Sequence, residues 1–315
     1  MQNEPISLPI STTTSPATAM ETYTTVNRFD TLSPDAIKVT PEADLYPPVL
    51  HSDEYLPPVP LGSGVNTAGG EDSPFITPDG NTLYFFFTPE VSIPDEKQVI
   101  DGVTGVYISR KVNGDWRPAE RVILQDDGSL SMDGAVCVQG DTMWFASVRF
   151  GNFREVDIWT ATYKDGRWQD WHNAGAVLNV QYQVGELHVT ADGSGMYFHS
   201  SQTGGKGGID IRYTEKVNDM WQEPQNVGSV NTPGDEGWPF VTPDGSELWF
   251  LRTFQGTPAI YVSHLKNGQW SEPELVISQF AGEPTLDAAG NIYFVHHFYK
   301  DGQMTEADIY VAYKK

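Results

Sequence analysis

The sequence predicts an all-β chain folded as a five-bladed β-propeller with four-stranded antiparallel blades. Three observations predict it. A repeat recurs five times, its short aromatic-rich runs show no helical periodicity, and a stretch near the N-terminus copies the end of a repeat. The turn glycines Gly80, Gly140, Gly193, Gly245 and Gly290 align at separations of 60, 53, 52 and 45 residues, close to the length of one propeller blade.

Each repeat has the same internal order. A short β-rich run enters a turn of the Pro-Asp-Gly type, in which proline pre-sets φ, aspartate bonds its own backbone and glycine takes the left-handed position. An aromatic strand follows, marked by Tyr84-Phe85, Trp144-Phe145, Tyr197-Phe198, Trp249-Phe250 and Tyr293-Phe294. Third strands begin near Gly105, Asp157, Asp210, Ala259 and Asp308, and Trp116, Trp168, Trp221 and Trp270 open the fourth. Pro118, Pro224 and Pro273 mark that fourth strand as an edge, because proline cannot donate to a ladder. The last repeat runs out at Lys315 after its third strand. Tyr55–Thr67 matches Trp221–Thr232 almost residue for residue, so an N-terminal strand is expected to complete the last blade and close the ring. The expected organisation is a Ser/Thr/Pro-rich leader or strap over 1–45 and one propeller over 46–315. Its blades fall at about 68–125, 129–178, 182–230, 233–278, and 281–315 with 52–66.

Composition narrows the function. Of 315 residues 39% are hydrophobic and 12% aromatic, enough for a sizeable core. The 42 acids against 19 bases give a net charge of −23, which repels nucleic acid and anionic lipid and favours cations and basic partners. A single cysteine, Cys137, excludes an intrachain disulfide and a thiolate metal site, and is expected to be a small buried filler. No stretch approaches the ~18 apolar residues of a membrane-spanning helix. Residues 1–20 lack the basic and apolar parts of a signal peptide and read as a tether left after export, so a periplasmic, surface or secreted location is expected.

In a propeller, the connections into first strands and out of second strands lie at one end of the ring. Glu71, Asp72, Asp133, Glu186, Asp235, Glu236 and Glu283 enter first strands; Ser147, Arg149, Ser200, Arg252, His296 and His297 leave second strands. An acidic channel mouth is therefore expected. Glu71, Asp72, Asp235 and Glu236 are the candidate ligands for a hard cation, Ca2+ or Mg2+. Arg149, Arg252, His188, His296, Ser147, Ser200 and Trp238 are the candidate contacts for a polar ligand. His296 and His297 are adjacent on a strand and must face opposite ways. The loop from Thr88 to Thr104 is longer than its counterparts and should project over the same mouth.

Asn231–Phe250 (NTPGDEGWPFVTPDGSELWF), the run GGKGGIDI from Gly204, and the Trp-x-x-Pro strands together resemble the TolB-type, WD-repeat-like propellers of bacterial envelope proteins, over roughly 50–315. The resemblance implies a scaffold, a binding module or an enzyme. It gives Asp157, Asp210 and Asp308 of the Asp-Ile motif a structural role between loops. The leading expectation is an exported, monomeric binding module for a protein, sugar or small polar ligand, with no nucleic acid and no membrane insertion. The alternatives are a purely structural scaffold and a carbohydrate-active enzyme of the glycoside hydrolase kind. By analogy with five-bladed furanosidases, the enzyme would use Asp133, Glu186 and Glu283 as its three mouth carboxylates.

Overall fold

The computed structural model describes residues 23–24 and 27–315. They form an all-β chain in which a four-stranded antiparallel meander recurs five times. The meanders open with Gly70–Ile76, Ser131–Gln139, Leu187–Val189, Glu236–Val241 and Ala281–Leu286. Second strands are Thr82–Thr88, Thr142–Arg149, Gly195–Ser200, Glu247–Phe254 and Ile292–Lys300, and third strands are Gly105–Val112, Asp157–Lys164, Asp210–Val217, Thr257–Lys266 and Gln303–Ala312. All five turn glycines take positive φ, between 57° and 79°, as their turns require. No helix among the described residues is long and apolar enough to cross a membrane.

Proline acts on the outer strand as its chemistry dictates. Pro118, Pro224 and Pro273 split the fourth strands of the first, third and fourth meanders into two short pieces, such as Asp115–Trp116 and Glu120–Val122. The second meander has no proline there, and its fourth strand, Arg167–Asn173, is unbroken. Val59–Pro60 pairs with Tyr310 and Val311, so the N-terminal segment supplies the outer strand of the fifth meander. Further in, Ala307 bridges Gly70, which joins the fifth meander to the first.

The core lies between faces of successive meanders, and one aromatic contact recurs in every cleft. Trp168 packs edge-on against Tyr84 of the preceding meander, Trp221 against Trp144, Trp270 against Tyr197, and Trp116 against Tyr293, with ring centroids 6.0–6.5 Å apart. Tyr55 occupies the tryptophan position in the N-terminal segment and meets Trp249 at 6.3 Å in the same geometry. First strands also contact one another in chain order, and the fifth contacts the first.

A second recurring device is a buried asparagine that clamps the third strand. Asn66 accepts from Ile309 N–H at 3.0 Å and donates to its carbonyl at 2.9 Å. Asn179 does the same to Ile158, and Asn231 to Ile211. The clamped isoleucines are those of the Asp-Ile motif. Asp157 accepts from Phe153 and Arg154 N–H and Asn173 Nδ2, and Asp210 from Lys206 N–H, so these acids hold loops within their own meanders.

Glycine is required where two loops cross near the third and fourth meanders. A Cβ on Gly207 would lie 1.7 Å from the carbonyl oxygen of Gly234. Gly207→Ala is expected to force these backbones apart and lower the unfolding free energy by about 3 kcal/mol. Urea denaturation measures this, and a loss under about 0.5 kcal/mol would mean the two loops separate freely.

Candidate functional site

The first strands do not run straight. A bulge interrupts those of the first, second, fourth and fifth meanders and puts Ser73, Ala135, Trp238 and Glu283 at φ between 46° and 55°. Left-handed backbone is costly for residues with a side chain, and such strain concentrates at functional sites. These four residues, with Glu186 of the third meander, line one narrow cavity of about 40 Å3. The next tier includes Phe75, His188 and Phe240, with the His188 ring 4.4 Å from Phe240 and 6.2 Å from Phe75. That volume holds a few water molecules and no sugar ring.

Glu186 and Glu283 line this cavity, and the charge of a third carboxylate, Asp72, which precedes the lining residue Ser73, acts on both. Asp72 lies within hydrogen-bonding reach of Glu283 on one side and is 3.7 Å from His297 Nε2 on the other. Burial works to raise its pKa, but the hydrogen bond and charge of His297, with the Ser73 N–H, carry it below the usual aspartate value. Burial, and then the charge of Asp72, push Glu186 up to about 8. Burial and the charges of Asp72 and Glu186 raise Glu283 well above its ordinary value. The cluster therefore favours a charged Asp72 beside two glutamates that hold their protons more tightly than an exposed carboxyl does. One polar atom at the cavity, Glu283 Oε2, is buried without a hydrogen-bond partner, while the Trp238 indole N–H is turned toward Glu186. Burial pushes His188 down to about 3, so its ring is neutral.

Asp133 corrects the expected trio. It pairs in register with Ser147 and bonds Ser131, Ser147 and Arg149, away from the cavity, and Ala135 takes the position equivalent to Glu283. Asp133 belongs to a different row, that of buried acids paired with arginine. Glu236 meets Arg252 at 3.0 Å, and Glu71 meets Arg28 at 2.8 Å. Thr67 and Thr232 cap Glu71 and Glu236 identically through N–H and hydroxyl. Arg149 and Arg252 are thus committed to acids of their own meanders. Asp235 caps the Ile209 N–H at 2.9 Å, so the four acids expected to hold a metal are spread over separate tasks. Among the described residues, no group of three or more His, Cys, Asp or Glu is arranged to hold a metal ion. Ser200 donates to the carbonyls of Tyr182 and Gln183, and buried His296 bonds Asp44 at 2.9 Å while His297 faces Asp72. Cys137 is buried in the core.

Residues 1–22 of the expected leader or strap lie outside the described residues. Residues 27–45 lie against the fifth and first meanders through Arg28–Glu71, Lys38 with Glu306 and Asp308, and Asp44–His296. The loop between Thr88 and Thr104 is folded: it carries a helical turn at Asp95–Gln98, and Arg121 donates to the carbonyls of Gly102 and Thr104.

Sequence reasoning overlooked His199. Its ring sits between the third and fourth meanders, with the N–H groups of Glu186 and Trp238 each 3.3 Å from one ring nitrogen. A Cβ on Gly185 would fall 2.3 Å from that ring and one on Gly237 3.0 Å, so two glycines make its berth. Burial pushes His199 down to about 4, and the neutral ring can accept only one of the two bonds at a time. Beside it, a 400 Å3 pocket lined by Arg154, Gln183, Glu186, His199 and Ser201 opens off the mouth. The signal for His199 was its place one residue before Ser200 at the end of a second strand.

No family model matches the chain, and no curated protein matches it. Solved structures do. A xylan β-1,4-xylosidase from Bacillus halodurans C-125 superposes at TM-score 0.50 and 13% identity, covering 80% of this chain and 54% of that one. The Bacteroides ovatus xyloglucan-locus protein GH43B gives 0.50 and 13%, covering 81% and 53%. TolB from Acinetobacter baumannii gives 0.48 and 13%, covering 80% and 56%. The chain spans about half the length of each of these proteins. At this identity the likeness bears on fold alone, and the fold is of the β-propeller kind.

Proposed function

We propose that the chain is a closed five-bladed β-propeller acting as a binding module, whose channel mouth takes up a small organic cation in exchange for protons. Support for five blades and closure comes from the aromatic contact repeated in all five clefts and from the pairing of Val59–Pro60 with the last third strand. The observation that carries the binding reading is the Asp72–Glu186–Glu283 cluster with its partnerless buried Glu283 oxygen. Among the described residues, His297 is the one base paired with a carboxylate of the cluster, at 3.7 Å from Asp72. An ammonium or guanidinium head would fit the 40 Å3 cavity, satisfy the orphan oxygen and drive the glutamates to give up their protons. The Ser/Thr/Pro-rich composition of residues 1–20 supports an extracytoplasmic location, and we take the module to be monomeric.

The sign of the pH dependence follows from the raised glutamates. Below pH 8 a cation must displace a proton from Glu186, so affinity for butylammonium or arginine amide should rise about tenfold per pH unit per proton released, between pH 6 and 8. Calorimetry in two buffers of different ionisation enthalpy counts those protons. Absence of binding by both probes at pH 8.5 would overturn the reading.

A second reading rests on the opposite shifts within one cluster. Asp72 is lowered while Glu186 and Glu283 are raised, the pattern of a general base beside general acids. A glycoside hydrolase pairs a carboxylate base or nucleophile with a carboxyl acid about 5–9 Å away, and in this reading Asp72 would be the base and Glu186 the acid. Release of reducing ends from xylan or arabinan, lost in Glu186→Gln, would favour this reading over the first.

A further inference from the structure

One cleft among the described residues is set apart by its uncharged, aromatic lining. Between the third and fourth meanders lies a cavity of about 600 Å3 that has no charged residue in its lining, in a chain where 19% of residues are charged. Its wall is aromatic: the rings of Tyr197 and Tyr213 lie 4.8 Å apart, and Trp270 stands edge-on to Tyr197 at 6.0 Å. Its rim carries the amides of Gln225, Asn226 and Gln269. Gly195 makes room for this arrangement, since a Cβ there would lie 2.8 Å from Tyr213 Oη.

We propose that this cleft binds a neutral oligosaccharide. A sugar ring presents an apolar C–H face and a rim of hydroxyls, which match an aromatic wall edged by groups that both donate and accept. A charged ligand would give up its hydration here and find no counter-charge. A wholly apolar ligand would leave the amide rim unpaired. The volume lies within the range of small-ligand sites. The cleft shares no residue with the channel cavity, so the site stands independently of cation uptake at the mouth.

The test is calorimetry and tryptophan fluorescence with cellohexaose, xylohexaose and mannohexaose, and with an oligogalacturonate as the charged control. At least one neutral chain should bind and shift the emission, and the charged chain should bind at least tenfold more weakly. Trp270 also packs in the core, so the exposed amides carry the test. Gln225→Ala and Gln269→Ala should each weaken binding about three- to tenfold. Proton-linked uptake of arginine amide should be unchanged in both variants, which separates failure of this site from failure of the mouth. The proposal is overturned by no binding of any neutral chain, by equal binding of the oligogalacturonate, or by affinity unaltered in both amide variants.

Discussion

Glu186→Gln is expected to stabilise the fold by about 2–4 kcal/mol at pH 8.5 and to leave it nearly unchanged at pH 5. Glu186 is pushed up to about 8 by burial and by Asp72, against an ordinary value of 4.5. The folded state therefore keeps a proton that the unfolded chain releases between those two values. Stability contributed by the protonated form is intact below about pH 4.5 and is lost as pH rises through 8. Every tenfold difference in proton affinity between the folded and unfolded chain is worth about 1.4 kcal/mol, and partial solvent screening at the mouth brings the total below the full figure. Glutamine keeps the shape and cannot ionise. Urea denaturation at both pH values should give a falling curve for the native protein and a shallower one for the variant, with the residual slope from Glu283. Parallel curves would mean that Glu186 is solvated and that the cluster is not a charge-frustrated site. A stabilising change in a native cavity is itself a functional sign, because selection for binding tolerates such costs.

Arg28→Ala should cost about 3–5 kcal/mol at pH 8, the consequence of leaving a buried carboxylate alone. The Arg28 guanidinium lies over Phe85, Phe87 and Tyr107 at 5.1–5.6 Å and donates to the carbonyls of Gly64 and Val65 as well as to Glu71. Burial raises Glu71 to about 7 even with this partner present. Without the arginine, Glu71 can escape by taking a proton, so the loss should shrink at pH 6. The double variant Arg28→Met/Glu71→Gln should recover most of the stability, since it removes both buried charges. A loss below about 1 kcal/mol at pH 8 would mean that this segment does not hold the first meander.

The fold was legible because each meander repeats local chemistry. Turn glycines, edge prolines and the tryptophans that open fourth strands each act through their immediate neighbours, and five copies make the pattern visible. The cavity was only partly legible. Counting back seven residues from the turn glycine lands on the correct cavity residue in four meanders, Ser73, Glu186, Trp238 and Glu283. It fails in the second, where Gln139 pairs Thr142 across a two-residue hairpin and the glycine stands earlier in the turn. Asp133 was therefore aligned two residues out, in place of Ala135. Arg28 carried no signal at all, because its partner Glu71 lies 43 residues away and no repeat contains it. The asparagine clamps were present as the shared Val-Asn of Val65-Asn66 and Val230-Asn231, but only the structure gives that pair a task.

The clamp at Asn66 has a kinetic consequence. It joins residues separated by 243 positions, whereas the clamps at Asn179 and Asn231 span about 20. Closing so long a loop costs entropy before any contact offsets it, so the fifth meander should be the slowest to assemble. During synthesis the segment around Val59–Thr67 can dock on the first meander through Gly64, Val65 and Thr67, but Val59–Pro60 and Asn66 lack their strand partner until Gln303–Ala312 emerges. Until then the last sheets stay open, and a second nascent chain could offer the missing strand, which makes exchange of this segment between molecules the characteristic failure of folding here.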